Sequence, residues 1–324
     1  MTGVTRREWM VRSGAAAVCA GLASAMPAAQ PGESPADARG RRVLRFAHLT
    51  DIHVQPERGA EAGMAAALRH AQSQPDPPSF ILQGGDAIMD GLGVSLDRLR
   101  QQWSCWHKVY KAECRLPVEH VLGNHDIFGW DRKKSKATGS EPEYGKRHAL
   151  EQMGLERSYR SFDRAGWHFV VLDSVQHDAG RVYQARLDDE QFEWLSADLA
   201  ATDPSTPVIV CSHIPIVAAC AYFDGENEKT GDWVVPGRWM HTDARRIKDL
   251  FVRHPNVRLA ISGHIHLMDR VDYAGVTHLC NGAVSGNWWK GPYDQTPAGY
   301  ALIDLYEGGG FSRQYVDFGW TPVS

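Results

Sequence analysis

The 324-residue chain is 43% hydrophobic and 10% aromatic, enough apolar surface to close a core, which excludes a disordered or fibrous protein. A formal net charge of -4 leaves no basic footprint for nucleic acid or for an anionic membrane surface. Six cysteines without a Cys-x-x-Cys spacing exclude a zinc finger or a multi-bridge scaffold. One pair such as Cys105–Cys114 could close after export, but buried free thiols are the expectation.

At the amino terminus, Thr5-Arg6-Arg7-Glu8-Trp9-Met10 precedes a small, apolar run over 13–26, and Ala23-Ser24-Ala25 offers a cleavage site. Positive charge, a short apolar stretch and an A-x-A site describe a secretory signal peptide. The paired arginines make it resemble a twin-arginine (Tat) signal, with Trp9 where phenylalanine is usual. The apolar run is shorter than the ~20 residues of a membrane span, so no stable anchor is expected. The expected organisation is a signal peptide over 1–29, a flexible leader over 30–42 and one domain over 43–324. The protein would be periplasmic or secreted, and its precursor a client of the Tat export machinery.

Residues 43–50 read as a buried strand that ends at Asp51-Ile52-His53. An Ala-rich helix over 61–72 is stopped by Pro77-Pro78, and a short strand over 80–82 runs into Gly84-Gly85-Asp86. The spacing predicts a helix over 96–111 carrying Trp103, Trp106 and Tyr110, then a strand over 118–122 that delivers Gly123-Asn124-His125-Asp126. This alternation argues for an α/β sheet with reactive groups at strand ends. Residues 128–160 have no period and carry Arg132, Lys133, Lys134, Lys136, Lys146 and Arg147; a solvated surface is expected there more than an anion-drawing loop. Further strands are predicted over 167–172, over 207–211 into Ser212-His213, and over 257–262 into Gly263-His264-Ile265-His266, with helices over 188–199 and 243–252. Residues 276–280, 300–305 and 312–316 read as antiparallel strands closing a second sheet.

Asp51, His53, Asp86, Asn124, His213, His264 and His266 are oxygen or imidazole donors without a thiolate, a set suited to Mn, Fe or Zn. Seven donors exceed one tetrahedral ion, and two ions can clamp the attacking and leaving oxygens of a displacement at phosphorus. The ordered series Asp51-x-His53, Gly85-Asp86, Gly123-Asn124-His125-Asp126, His213 and Gly263-His264-x-His266 resembles the calcineurin-like metallophosphoesterase superfamily, including class III cyclic-nucleotide phosphodiesterases and the neighbouring purple acid phosphatases. The tyrosine that ligates ferric iron in purple acid phosphatases is replaced here by Met89, which argues against a ferric-specific first site.

The resemblance implies a four-layer α/β/β/α sandwich of two mixed sheets, of the metallo-dependent phosphatase type. It implies two divalent or mixed-valence ions, one held by Asp51, His53, Asp86 and His266, with Asp86 bridging to a second held by Asn124, His213 and His264. It also implies a phosphoester substrate, mono- or diester, hydrolysed by a metal-bridging hydroxide with His125 as the general acid. Asp126 is the carboxylate expected to orient His125. The competing reading is a non-catalytic exported protein that binds a phosphorylated ligand on the same fold; a nuclease lacks the basic stripe it would need. His48, His107, His120, His168 and His278 match no motif and are assigned structural roles. Trp288 and Trp289 are equally suited to overhang the site or to close the core.

Overall fold

Alternation along the strands decides the layers. In the computed structural model, which describes residues 40–323, strand β1 (Arg42–Leu49) points Leu44 and Phe46 to one face and Ala47 and Leu49 to the other. It is followed by α1 (Ala60–Gln72), β2 (Ile81–Gln83), α2 (Leu96–Glu113) and β3 (Val118–His120). Two short helices, α3 (Arg132–Ser135) and α4 (Arg147–Met153), lie in the next stretch. Then come β4 (Arg160–Arg164), β5 (Trp167–Val171), the hairpin β6 (Val175–Asp178) and β7 (Val182–Ala185), α5 (Asp189–Ala201) and β8 (Val208–Cys211). The chain closes with α6 (Ala244–Arg253), β9 (Val257–Ser262), β10 (Met268–Tyr273), β11 (Val276–Asn281), β12 (Gly299–Tyr306) and β13 (Phe311–Asp317). The signal expected over 1–29 and the leader up to residue 39 lie outside the described residues.

Five strands in the order β13-β12-β1-β2-β3 form one sheet and six in the order β10-β11-β9-β8-β5-β4 form the other; both mix parallel and antiparallel pairs. Between them lies an aromatic core in which Phe46 stacks on Phe80 at 5.1 Å and meets Phe169 edge-on at 5.8 Å. Each buried ring contributes about 2–3 kcal/mol by area removed from water. Helices α1 and α2 cover the outer face of the first sheet, α5 and α6 that of the second. This is the four-layer α/β/β/α sandwich of two mixed sheets.

The helices start where the sequence places their caps. The Ser95 side chain accepts from the Arg98 amide at 3.3 Å ahead of α2, and Asp188 accepts from Gln191 at 2.8 Å ahead of α5. The carboxy-terminal strands correct the expectation. β11 does join the second sheet, antiparallel to β10 as expected but parallel to β9 on its other side, and every one of its residues is buried, as suits an interior strand. β12 and β13 instead return to the first sheet as an antiparallel pair, β12 beside β1 and β13 at the edge. The strands missed in the sequence include both edges of the second sheet, where charged residues break the apolar pattern: Arg160, Asp163 and Arg164 in β4, Asp269, Arg270 and Asp272 in β10.

All five described cysteines are free, Cys105 and Cys114 included. The basic stretch over 128–160 is largely committed to its own surroundings. Lys146 Nζ sits 2.5 Å from Asp173 and over the Trp130 ring, Lys134 pairs with Asp131, and Arg132 donates to the carbonyls of Ala137 and Thr138. Among the described residues no helix is long and apolar enough to cross a membrane.

Candidate metal centre

Strands β1, β2 and β9 stop at their motifs because the next residues leave extended geometry. Asp51, His53, Asp86, His264 and His266 all have positive φ, between 49° and 72°. The left-handed region costs a non-glycine residue about 1–2 kcal/mol, so five such residues in one place mark a shape maintained for what it presents. Glycines make the approach possible. A Cβ on Gly123 would lie 2.1 Å from the Asp86 amide nitrogen, and one on Gly263 would lie 2.2 Å from Asp51 Oδ2.

The result is two groups of three side chains, Asp51-His53-His266 and Asp86-His213-His264, each with donor atoms within 4.8 Å of one another. Asp86 Oδ2 lies 3.2 Å from His213 Nε2 and 3.7 Å from His53 Nε2, so it faces both groups. Asn124 Oδ1 is 3.1 Å from His213 Nε2 and completes the second group. The seven donors predicted from the sequence are thus brought together.

Backbone carbonyls fix which imidazole nitrogen faces inward. His266 Nδ1 donates to Gly286 at 2.6 Å, His213 Nδ1 to Gly84 at 2.9 Å, and His264 Nε2 to Arg238 at 3.0 Å. This carbonyl anchoring is the arrangement that orients metal-ligating histidines. The inward nitrogens then confront one another, His53 Nε2 and His266 Nε2 at 3.1 Å, His213 Nε2 and His264 Nδ1 at 3.2 Å. Asp51 Oδ2 is satisfied by Thr50 Oγ1 and the His264 amide, while Oδ1 is buried with no hydrogen-bond donor among the described residues. Facing lone pairs and a bare carboxylate oxygen repel unless cations lie among them. The donor set fits two divalent ions.

Electrostatics agree. Burial holds His53 and His264 down at about 3, so both are neutral imidazoles, the ligating form, at ordinary pH. For His213 burial also lowers the pKa, but Asp86 and Asp51 outweigh it and carry it up to about 10. That rise is the pull two carboxylates exert on any positive charge placed at the second donor group.

Residues 44–268 match the family model of the calcineurin-like phosphoesterases. The chain belongs to that family. It is 24% identical to a probable cyclic nucleotide phosphodiesterase of Synechococcus, over 84% of this chain and 91% of that one. It is 26% identical to purple acid phosphatase 22 of Arabidopsis thaliana, over 70% of this chain and 45% of that protein. The fold resembles a dimetal phosphatase of Danio rerio with a TM-score of 0.57 at 16% identity, covering 86% of this chain and all of that one.

In this calcineurin-like phosphoesterase the Gly123-to-Asp126 turn divides its work differently from the sequence expectation. Asp126 does not orient His125. Its Oδ2 accepts from the amides of Gly123 (2.9 Å) and Asp86 (3.0 Å), and its Oδ1 accepts from Ala87 at 2.8 Å, so the carboxylate is spent on pinning two motif turns together. The carboxylate beside His125 is Asp90, whose Oδ1 is 3.4 Å from Nδ1. Burial lowers the His125 pKa, but Asp86 and Asp90 raise it further and leave it at about 9. The His125 amide donates to Asp86 Oδ1 at 2.8 Å, which leaves Asp86 Oδ2 to the donor groups.

A cavity of about 400 Å³ opens above the donors, lined by His53, Asp86, His125, His264 and His266 on its floor. The two tryptophans separate. Trp289 is 1% exposed and packs against Trp320, with its indole N–H on the His53 carbonyl. Trp288 lies 4.5 Å from the His266 ring and lines the cavity with Tyr293. Tyr183 on β7 and Asp224, Arg238 and Trp239 in the loop after β8 add to the walls, and none of them stands in a periodic or motif pattern of the sequence. Asp90 carried a faint signal, a second carboxylate shortly after Gly85-Asp86. No residue of the basic stretch lines the cavity. His48 bonds to Asn281, His107 to Gln152, His120 to Gln83, and His168 to Asp163 and Asp198, all apart from the donor groups.

Proposed function

We propose that the protein is a phosphodiesterase with a dinuclear metal centre. The observation that carries this reading is the convergence of two donor groups on one carboxylate, Asp86, with His125 at the cavity edge beside them. Asp51, His53, Asp86 and His266 would hold one ion, and Asp86, Asn124, His213 and His264 the other. When bound, the ions would activate a water nucleophile and offset the charge that builds on the phosphoryl oxygens. Only two carboxylates answer two divalent ions, so the floor keeps positive charge for a phosphate.

His125 is the general acid in this reading. It turns Nδ1 toward Asp90 and leaves the opposite edge of the ring to the cavity, where Nε2 can protonate the leaving alkoxide or aryloxide oxygen. Asp90 lies beside Nδ1 without a hydrogen bond to it, and its charge favours the protonated form of the ring. The resemblance to a probable cyclic nucleotide phosphodiesterase, and aromatic walls with room for a substituent beyond the scissile bond, support a diester over a monoester. In the same proposal the chain is exported through the Tat route to the periplasm or beyond, supported by Arg6-Arg7 and the apolar run after them.

The test is hydrolysis of bis(p-nitrophenyl) phosphate against p-nitrophenyl phosphate, with Mn, Fe or Zn supplied. Turnover of the diester at least about tenfold above the monoester is expected from a site that leaves one positive charge for a monoanion. Turnover of the monoester alone would overturn the diesterase reading. Tight binding of phosphate esters with no product from either would favour the phospholigand-binding alternative. Export is tested by fractionation of cells expressing the full chain and its Arg6→Lys/Arg7→Lys variant; equal export of both would sink the Tat assignment.

A further inference from the structure

The cavity is flanked by an apolar surface that the metal centre does not use. Residues 219–240 leave the second sheet after β8 and return at α6, and this loop supplies Asp224, Gly225, Arg238 and Trp239 to the cavity wall. Its outer part carries Phe223 at 66% exposure, Val234 at 56%, Trp233 at 53% and Tyr222 at 38%. Trp233 meets Tyr222 and Phe223 edge-on at 5.8 and 5.7 Å, so three rings form one cluster on the loop whose Asp224 and Gly225, next in sequence to Phe223, line the cavity. Contiguous exposed apolar groups on a soluble domain mark a place of contact.

The loop is braced. Asn227 Nδ2 donates to the carbonyls of Ala221, Tyr222 and Asp224, and the Val234 amide donates to the Asn227 carbonyl at 3.0 Å. Its base is tied to the site: Tyr293 donates to Asp224, and His264 of the second donor group donates to the Arg238 carbonyl. A loop anchored to a metal-ligand histidine at one end and showing aromatic rings at the other connects the reaction centre to the apolar cluster.

Three occupants could cover that cluster, and charge separates them. The loop carries four carboxylates, Asp224, Glu226, Glu228 and Asp232, against two cations, Lys229 and Arg238, and Lys229 is already paired with Glu226. An anionic bilayer would be repelled. A second copy would bring the same negative loop against itself. An apolar group that arrives attached to the substrate meets neither obstacle, because its phosphate goes to the cationic floor. A cavity of about 400 Å³ accommodates a small head group, and a longer substituent must leave it across the rim.

We propose that the cluster of Tyr222, Phe223, Trp233 and Val234 is a lip that receives the aliphatic tail of an amphiphilic phosphodiester whose phosphate sits over the donor groups. The proposal rests on the phosphodiesterase reading and adds the substrate class. The tail gains by burying methylenes against the rings, roughly two- to fourfold in affinity for each methylene covered.

Two substrates with the same leaving group, methyl and dodecyl p-nitrophenyl phosphate, test it on the metal-loaded full chain below the micellar concentration of the dodecyl ester. A KM for the dodecyl ester lower by about tenfold or more is expected, and in the Phe223→Ser/Trp233→Ser variant the two KM values should approach each other. Bound metal reports that the variant is folded, and calorimetric binding of dodecylphosphonate against methylphosphonate provides a readout independent of turnover. Turnover of both esters with equal KM would overturn the lip and leave the phosphodiesterase reading standing. Chain-length-dependent phosphonate binding that is lost in the variant, with neither ester hydrolysed, would support the lip and overturn the phosphodiesterase reading. A dimer, or sedimentation with phosphatidylcholine vesicles, that disappears in the variant while chain length has no effect would overturn the proposal in favour of a second copy or a bilayer.

Discussion

Floor and rim of one cavity are built from different kinds of chain. On the floor, the donors Asp51, His53, Asp86, Asn124, His213 and His266 are at most 1% exposed and sit within a few residues of a strand end, held by backbone amides and carbonyls. On the rim, Trp288, Tyr293, Arg238 and Trp239 come from loops, are partly exposed, and are joined to the floor by single hydrogen bonds or ring contacts. A strand end fixes a side chain to a fraction of an ångström because the sheet behind it cannot move. A loop lets residue types change while the chain path is kept. The floor is therefore suited to chemistry that tolerates no displacement, and the rim to choosing what is brought to it.

Substitutions can break this comparison, beginning with the largest effect. Asp86→Ala removes the one carboxylate among the described residues that faces both groups, and is expected to lose bound metal and to fall below about a thousandth of wild-type turnover. Retention of both ions by that variant, measured by elemental analysis, would show that the floor does not depend on its shared carboxylate. His125→Ala should lower turnover about 10²- to 10⁴-fold while keeping metal content, because in the proposed function it serves the leaving group and does not hold an ion. Full activity in His125→Ala would assign the proton to another group.

Asp90→Asn sharpens the boundary between the two regions. Asp90 raises the His125 pKa, so removing its charge lowers that pKa and the acid form is lost at lower pH. The expected outcome is a loss of about tenfold near neutrality, with the alkaline limb of kcat/KM moved to lower pH. An unmoved limb would separate Asp90 from the proton transfer. The corresponding Asp126→Asn change should act through stability, since its oxygens accept from four backbone amides, those of Asp86, Ala87, Ile88 and Gly123. The smallest effect is expected from Lys133→Ala/Lys134→Ala in the basic stretch, which contributes nothing to the cavity lining: turnover within about twofold at low salt, where steering would be strongest. A large, salt-sensitive drop in KM-dependent rate would restore the anion-drawing role.

The floor was legible in the sequence and the rim was not, for reasons that follow from the same contrast. Gly85, Gly123 and Gly263 stand where a Cβ would strike another motif, so their spacing to Asp86, Asn124 and His264 is fixed by sterics and can be read as text. The helices over α1, α2, α5 and α6 were legible from helix propensity and apolar spacing, and the central strands from apolar runs. Sheet membership at the carboxy terminus was not, because β11 and β12 are both buried on two faces, and local pattern does not reveal which neighbour buries them. Asp126 was misassigned since a carboxylate next to a histidine in sequence looks like its partner. The turn sends the two side chains apart, and Asp90, which is remote by motif and near in space, takes the place. Trp288 and Trp289 could not be separated by sequence because both have positive φ in one tight turn, which sends adjacent indoles to the core and to the cavity.

The central claim is that two ions occupy the two donor groups and that hydrolysis needs both. Its most direct test is a titration of metal into the stripped full-length chain, with bound metal and bis(p-nitrophenyl) phosphate turnover measured on the same sample. Saturation is expected at two equivalents, one for each donor group, with most of the activity appearing with the second. Full turnover in the stripped chain, or saturation at one equivalent with full turnover, would contradict it.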